Sequence, residues 1–586
     1  MKHVACFIAN YPRPQFVNKD WQDLDGSWDF CFDDNNIGEE NNWFIKLPTD
    51  RQIIVPFSFQ TKASKIEDDK NHDYIWYAKT INVEKEKNKR VILNLEGADY
   101  FTKVWINGKF VGSHTGGYTR ASFDITNTLK GKTAYVVIKC EDKLEAIQPR
   151  GKQTWLDKPF GCWYTRTNGL WKKVWLEKVS DVYLKNVKIT PNIDDYFVEF
   201  EVTLSEFKPS YNLEIEISYA GKLVNKTKMA MLRRISNIKI DIQNDYDGFR
   251  VQYWDNNNPN LFDVKYRLYK DEKLVEEIGS YFGFVNFKAH GNLLLLNNNP
   301  AYLKMVLFQG YRRNSGLSIE NEEQLIEDLT LIKKLGFNGV RMHQKIEDER
   351  FYYYCDIMGI LCWCEMPSPY EFKDETIVNL TREWQEVVGQ FYNHPSIVCW
   401  VPINESWGVP RVVNDYTNQH LQNALYEITK AYDPIRPVID NDGWEHTRSD
   451  IITFHNYAQS GDELAHFYGD LHSLVNDEHK VDFSQSRLAF AKGYKYEGQP
   501  IIISEFAGIG YENGNDKGWS YGDKVSSSDN YLNRLDSMIK AIRSIDHVCG
   551  FCITQLTDVD SEINGLLDMD RKPKADIEKL KEIISR

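Results

Sequence analysis

Two glutamates, Glu405 and Glu505, each close a run of apolar, strand-forming residues. The first run is Ile397-Val398-Cys399-Trp400-Val401-Pro402-Ile403-Asn404-Glu405, breaking into Ser406-Trp407-Gly408; the second is Pro500-Ile501-Ile502-Ile503-Ser504-Glu505, breaking into Phe506-Ala507-Gly508. A buried parallel strand delivers a carboxylate to the mouth of a barrel in this way. Two carboxylates so placed point to acetal cleavage, in which one carboxyl protonates the leaving oxygen and the other meets the developing oxocarbenium ion. Asn404 could donate its amide to a sugar 2-hydroxyl. Arg341 and His343, in Val340-Arg341-Met342-His343-Gln344, end another apolar run. The arginine could keep a carboxylate nucleophile ionised, and the histidine could donate to a sugar hydroxyl. Glu365, in Trp363-Cys364-Glu365-Met366-Pro367, closes a third run.

These residues need a scaffold of alternating strands and helices, and one begins near residue 285. Leu325, Leu329, Ile332 and Leu335 recur at helical spacing before Gly336, which predicts a helix over 322–335. Strands are expected at 304–308, 337–341, 360–363, 397–401, 438–440, 451–454, 501–504 and 549–553. Eight strands in about 300 residues is the count of a (β/α)₈ barrel.

The preceding sequence alternates with period two. Residues 1–180 carry strand patterns such as Tyr74-Ile75-Trp76-Tyr77-Ala78 and Val91-Ile92-Leu93-Asn94-Leu95. With Asn107-Gly108 as a hairpin turn, they predict a jelly-roll-like antiparallel β-sandwich. Residues 181–284 read as a second, immunoglobulin-like sandwich, and 285–586 as the barrel.

Composition narrows the function. The chain has 586 residues, 42% of them hydrophobic, and a net charge of -14. Such an acidic chain lacks the general basic surface that nucleic-acid binding needs. No stretch approaches the roughly 20 apolar residues of a membrane span, and the region before Phe16 is interrupted by Asn10, Pro12 and Pro14 rather than reading as a secretory signal. The ten cysteines lie mostly in apolar runs. Cys549-Gly550-Phe551-Cys552 falls in an expected core strand, not at a helix start where a redox pair would sit. Reduced thiols and a cytoplasmic location are the expectation. Among the 16 tryptophans, Trp400, Trp407 and Trp444 sit where they could stack on a sugar.

The chain resembles glycoside hydrolase family 2, the group containing β-galactosidases, β-glucuronidases and β-mannosidases. Val104-Trp105-Ile106-Asn107-Gly108-Lys109, Gly116-Gly117-Tyr118 and Arg166-Thr167-Asn168-Gly169-Leu170-Trp171 are similar to its sugar-binding domain; Asn258-Pro259-Asn260-Leu261-Phe262 and Tyr281-Phe282-Gly283-Phe284 are similar to the end of its second domain and the start of its barrel. The resemblance implies that Glu405 is the acid/base and Glu505 the nucleophile. Tyr457, in His455-Asn456-Tyr457, would hydrogen-bond the nucleophile. Trp444 would form an aromatic wall, and Asn456 and Gln555 would join the substrate pocket. Relatives use the position of Glu365 structurally or beside a metal. Many place a tryptophan where this chain has Thr554-Gln555-Leu556-Thr557-Asp558.

The resemblance implies a retaining exo-β-glycosidase without metal or cofactor, acting on a small oligosaccharide or glycoside, with homo-oligomer formation open. β-Galactosidase-like activity is the leading expectation. The Asn-x-Lys element of β-glucuronidases falls on Glu562-Ile563-Asn564, which replaces both key residues. Arg150, Lys152, Arg312, Arg313 and Lys345 could still build a carboxylate site, so a β-galacturonidase or another activity of the family is an alternative. A carbohydrate-binding protein without turnover is another. Finally, the loop Arg150 to Tyr164, with Trp155, Asp157 and Trp163, is expected to reach over the barrel and wall the site, because an exo-acting enzyme needs a closed pocket.

Overall fold

The computed structural model describes residues 2–49, 51–242, 251–477, 487–511 and 518–586. A four-stranded sheet ordered Trp21–Asp23, Val174–Ser180, Lys89–Leu95, Ala121–Asp124 shares a core with a six-stranded sheet running from Arg51–Val55 to Lys109–Thr115. Alternation fills that core: Val91, Leu93 and Leu95 on one sheet face Phe30, Val104 and Ile138 on the other. Asn107 and Gly108 join two strands with φ of 51° and 76°, the left-handed pair that a tight hairpin requires.

The second sandwich pairs a three-stranded sheet with a four-stranded one (Lys222–Ala230, Tyr211–Tyr219, Leu261–Lys270, Lys273–Gly283) around a core that includes Phe200, Leu213 and Tyr266. A small hairpin, Phe287–His290 with Leu293–Leu296, follows and lays Phe287, Leu294 and Leu296 against the barrel.

The barrel sheet has seven parallel strands in the order Ile397–Val401, Leu361–Glu365, Gly339–Met342, Leu303–Phe308, Val548–Thr554, Ile501–Ala507, Ile452–His455. The expected strand at 438–440 does not form a ladder. Segment 437–442 instead bridges to its neighbour at Trp400↔Val438 and Asn404↔Asp442. Pro437, Ser449 and the turn at Asp440 interrupt regular pairing: the Asp440 carboxylate accepts from Asn441 N at 2.8 Å and Thr447 N at 2.6 Å. The gap in the ring is nonetheless spanned, because Ile439 N donates to Trp400 O at 3.0 Å and His455 N donates to Gly443 O at 3.3 Å.

The predicted helix forms over Glu322–Lys334, capped by Asn321, whose side chain accepts from Gln324 N at 3.1 Å. Leu325, Leu329 and Ile332 face the core, and Gly336 leaves the helix with φ 92°. Truncating Leu329 to alanine would cost about 2–5 kcal/mol, the usual range for such a buried site.

The first sandwich locks onto the barrel through backbone. Arg150 N and Gly151 N both donate to Ser368 O at 3.1 Å, and Tyr370 N donates to Ala146 O at 2.7 Å. Gly151 has φ 62°, and a Cβ there would lie 2.1 Å from the Gln344 carbonyl oxygen. Only glycine permits that approach.

Candidate active site

Parallel strands place their last residues in one plane at the C-terminal mouth, so side chains distant in sequence converge there. Arg341, fully buried, is the hub. Its Nε donates to Glu365 at 2.6 Å, Nη1 to Glu505 at 2.9 Å, and Nη2 to the Asn404 side-chain oxygen at 2.8 Å. Nη1 also lies 2.8 Å from Asp442. Burial opposes the guanidinium charge, but Asp442, Glu365 and Glu505 raise its pKa well above the ordinary value.

Glu505 lies between Arg341 on one oxygen and the Tyr457 hydroxyl, which donates to the other. The Thr554 hydroxyl lies 3.1 Å from the same phenol oxygen, which can accept its proton, and the Tyr457 ring stacks on Tyr521 at 3.6 Å. A phenol bonded to a carboxylate is a strong, charge-assisted contact. Burial, then the Glu505 charge, drive the Tyr457 pKa well up, so the hydroxyl stays protonated.

Glu405 faces this group from the loop after Ile397–Val401, across the barrel mouth, in the left-handed region with φ 53°, followed by Ser406 at 59°. Two successive non-glycine residues there mark local strain of the kind found at functional sites. Its carboxylate accepts from Trp407 Nε1 at 3.2 Å and from His455 Nδ1 at 2.8 Å. The other imidazole nitrogen is 3.0 Å from Asp442 and 3.6 Å from Glu505. Burial alone would lower the His455 pKa, yet Glu505 and Asp442 raise it to about 10. Reciprocally, burial would raise Glu405, but the bond and charge of His455 hold it at about 2. One oxygen of Glu405, one of Glu505 and a ring nitrogen of His455 lie within 4.8 Å of one another. This trio does not fit a metal ion, since the raised His455 pKa keeps the imidazole protonated between carboxylates and Arg341 already pairs with Glu505.

His343 Nδ1 lies 2.9 Å from Glu365 and 3.1 Å from Arg341 Nη2. Burial and the Arg341 charge push its pKa well below the usual value, which leaves a neutral ring. Glu365 is fully buried and ties Arg341 and Gln344 N (3.0 Å) into the wall. Trp444 sets its ring 5.3 Å from that of His455. Asn404 Nδ2, Asn456 Nδ2 and Trp444 Nε1 have no protein partner among the described residues. Gln555, at the end of the last strand, accepts from Gln309 and donates to Asn564, both at 2.8 Å.

The loop from Arg150 to Tyr164 lies on the barrel. Trp155 stacks on Tyr370 at 4.2 Å, and Trp163 meets Trp407 edge-on at 5.5 Å. Tyr164 donates to Glu562, whose other oxygen accepts from Asn564 at 3.0 Å. Asp157 departs from expectation: it is exposed and accepts from Asn71 at 3.0 Å, on its own sandwich. The loop turns its tip at Leu156–Lys158 to water and packs Trp155 and Trp163 on the barrel side. Trp400 also departs. Strand alternation sends its ring outward to the helix layer, against Trp384 at 6.0 Å, with Nε1 donating to Asp433 at 2.8 Å.

Of the five basic candidates, four are spoken for elsewhere. Arg150 pairs with Asp142 at 2.8 Å, Arg312 with Asp328, Arg313 with Asp570, and Lys345 with Glu347. Lys152 remains at the site. It donates to Cys162 Sγ at 3.4 Å and, among the described residues, has no carboxylate in ion-pair range. Burial opposes its charge, but Cys162, Tyr370, Glu562 and Glu405 raise its pKa. Asp442 and His455 emerge as site residues that the sequence pattern did not single out. The strand-end position of His455, beside Asn456, was the available signal.

Three models of glycosyl hydrolases family 2 match the chain: the sugar binding domain at residues 21–147, the family's middle domain at 182–284, and the TIM barrel domain at 287–586. A β-galactosidase of Leuconostoc mesenteroides is 24% identical over 549 residues, covering 86% of this chain and 49% of that one. A β-glucuronidase of Chlorocebus aethiops is 24% identical, with 85% of this chain and 79% of that protein covered. The chain spans about half the length of the bacterial curated relatives it matches. Among solved structures, the Ruminococcus gnavus β-glucuronidase superposes with a TM-score of 0.78 at 19% identity over 100% of both chains, which is a likeness of fold. No helix among the described residues is long and apolar enough to cross a membrane. The barrel match takes in residues 287–586 of 586, and on that match the chain belongs to glycoside hydrolase family 2.

Proposed function

We propose that this protein is a retaining exo-β-glycosidase in which Glu505 is the nucleophile and Glu405 the acid/base. The observation that carries the reading is the spacing of the two carboxylates: an oxygen of one lies within 4.8 Å of an oxygen of the other. Retaining enzymes hold their carboxyl groups about 5–5.5 Å apart, whereas inverting enzymes need roughly 6.5–9.5 Å to admit water. Glu505, paired with Arg341 and oriented by Tyr457, attacks the anomeric carbon while Glu405 gives its proton to the departing oxygen. The glycosyl-enzyme ester then opens to a water that loses its proton to Glu405, and Glu505 leaves. Asn404, its side-chain oxygen held by Arg341, directs its free amide hydrogens at the sugar 2-hydroxyl.

The sugar is read as neutral and β-galactose-like. Where a glucuronidase grips its substrate carboxylate, this chain has Glu562, a buried carboxylate pushed by burial toward a higher pKa. A uronate would meet a carboxyl there in place of a cation, whereas hydroxyls would meet an acceptor. Lys152 supports the second reading, a uronidase, because among the described residues its ammonium bonds a thiol and has no carboxylate in ion-pair range. A panel of p-nitrophenyl β-glycosides separates the two: the galactoside should be hydrolysed faster than the glucuronide or galacturonide. A uronide preference would replace the first reading with the second. The roles are tested by azide rescue, with Glu405→Ala expected to yield a β-glycosyl azide and Glu505→Ala an α-glycosyl azide. The opposite products would reverse the assignment.

A further inference from the structure

An acid catalyst needs a proton to give, and Glu405 is poorly placed to keep one. Its oxygens accept from Trp407 and His455, two donors that favour the ionised carboxylate. The imidazole beside it has the opposite surroundings. His455 presents Nδ1 to Glu405 at 2.8 Å and Nε2 to Asp442 at 3.0 Å and Glu505 at 3.6 Å. Where those carboxylates are ionised they only accept and both ring nitrogens donate, the state that fits the rise of the His455 pKa under the Glu505 and Asp442 charges.

We infer that His455 stores the catalytic proton: in the resting enzyme the proton that Glu405 will deliver resides on the imidazole, and substrate binding transfers it to the carboxyl. This inference rests on the proposed role of Glu405. The resting pair, carboxylate with imidazolium, and the reactive pair, carboxylic acid with neutral imidazole, hold the same number of protons and are tautomers of one unit. In the open site, water and neighbouring charges favour the ionic form. A sugar that fills the mouth removes water and disfavours separated charges more than neutral partners. The proton then passes from the carboxyl to the glycosidic oxygen as the C–O bond breaks and Glu505 bonds to the anomeric carbon. The attacking water of the second step gives a proton back to the pair.

The groups facing this pair fit the arrangement. Asp442 and Glu505 hold the imidazolium directly. The single charge of Arg341 is shared among both of those carboxylates and Glu365, so it offsets only part of their pull on the imidazole. Lys152 acts on Glu405 from the sandwich loop, its charge lowering the carboxyl's pKa, while the neutral ring of His343 stands on the strand Gly339–Met342 side. Tyr457 is spent on Glu505 and Thr554. Trp444 closes the remaining side of the ring. The imidazole's rise to about 10 and the carboxyl's fall to about 2 describe the same resting ion pair.

The test compares wild type, His455→Asn and His455→Gln on two glycosides of the sugar that the wild type hydrolyses. The 2,4-dinitrophenyl glycoside needs no proton for its leaving group, whereas the methyl glycoside does. With the store removed, the alkaline limb of kcat/KM should move down by about one to two pH units. Near pH 8 the methyl glycoside should lose roughly 10²-fold, as expected for general acid catalysis, and the dinitrophenyl glycoside less than tenfold. An equal loss on both, with the alkaline limb unmoved, would reduce His455 to a packing residue and overturn the inference. If the variants fail to fold, the ¹⁵N shifts of His455 in the wild type at pH 8 decide: an imidazolium supports the store, and a neutral ring overturns it. Glu405→Ala, run on the same pair, isolates the premise. It should spare the dinitrophenyl glycoside and lose the methyl one; equal losses there would sink the role of Glu405 whatever His455 does.

Discussion

Trp163, on the first sandwich, sets its ring edge-on against Trp407, on the barrel, with 5.5 Å between centroids. Trp407 in turn donates its indole N–H to Glu405 at 3.2 Å. A domain without either candidate carboxylate thus fixes the orientation of one of them. Edge-to-face pairs contribute about 0.5–1.5 kcal/mol beyond their buried area. Trp163→Ala should therefore lower kcat/KM by roughly ten-fold, by loosening Trp407, with the melting temperature nearly unchanged. Steady-state kinetics and a thermal melt check it, and unchanged kinetics would detach the loop from the chemistry.

Asp157 supplies the contrast within the same loop. It is exposed and bonded to Asn71, and solvent screening leaves such contacts worth little. Asp157→Ala should leave kcat/KM and stability within error of wild type, whereas Trp155→Ala, which strips the ring stacked on Tyr370, should raise KM. Equal effects of the two would mean that the loop acts as a unit.

Tyr457→Phe removes one of the two donors that hold Glu505. A hydrogen bond to a charged group is worth about 1.5–3 kcal/mol, so turnover should fall about 10- to 100-fold. Pre-steady-state kinetics with a dinitrophenyl glycoside would show whether glycosylation slows. An unaltered rate would leave Tyr457 a bystander.

The contact between the first sandwich and the barrel carries its own pH dependence. Glu383, on the helix Asp374–Phe391, accepts from Tyr118 N at 2.8 Å, and burial raises its pKa to about 8. A carboxyl raised in the folded state contributes stability that is fully present below its unfolded pKa of about 4.5 and is lost as pH rises through the folded value. The window therefore runs from about pH 4.5 to 8. Glu383→Gln, a neutral isostere, should melt near wild type at pH 5 and above it at pH 8. A difference in melting temperature that stays constant across this range would contradict that origin.

Much of this was legible in the sequence because it depends on local pattern. Glu405 and Glu505 could be read because an apolar run ending in a carboxylate has few structural uses, and the helix at 322–334 because its apolar spacing and its glycine stop agree. What escaped depends on the meeting of distant segments. His455 and Asp442 matter only because the barrel brings 405, 442, 455 and 505 within bonding distance, and no spacing along the chain encodes that. Trp400 misled because the face of a strand on which a residue falls is fixed by register, not by its distance from Glu405. The segment 437–442 keeps its place in the ring but not a ladder, since proline and side-chain-to-backbone bonds compete with pairing there.

The most direct test of the central claim is to inactivate the enzyme with a 2-deoxy-2-fluoro β-glycoside of its preferred sugar and locate the adduct by peptide mass spectrometry. The fluorine slows both steps, and a good leaving group lets the first outrun the second, so the covalent intermediate accumulates. The account predicts a single 2-fluoroglycosyl ester on Glu505. An adduct on Glu405 or on any other residue would contradict it.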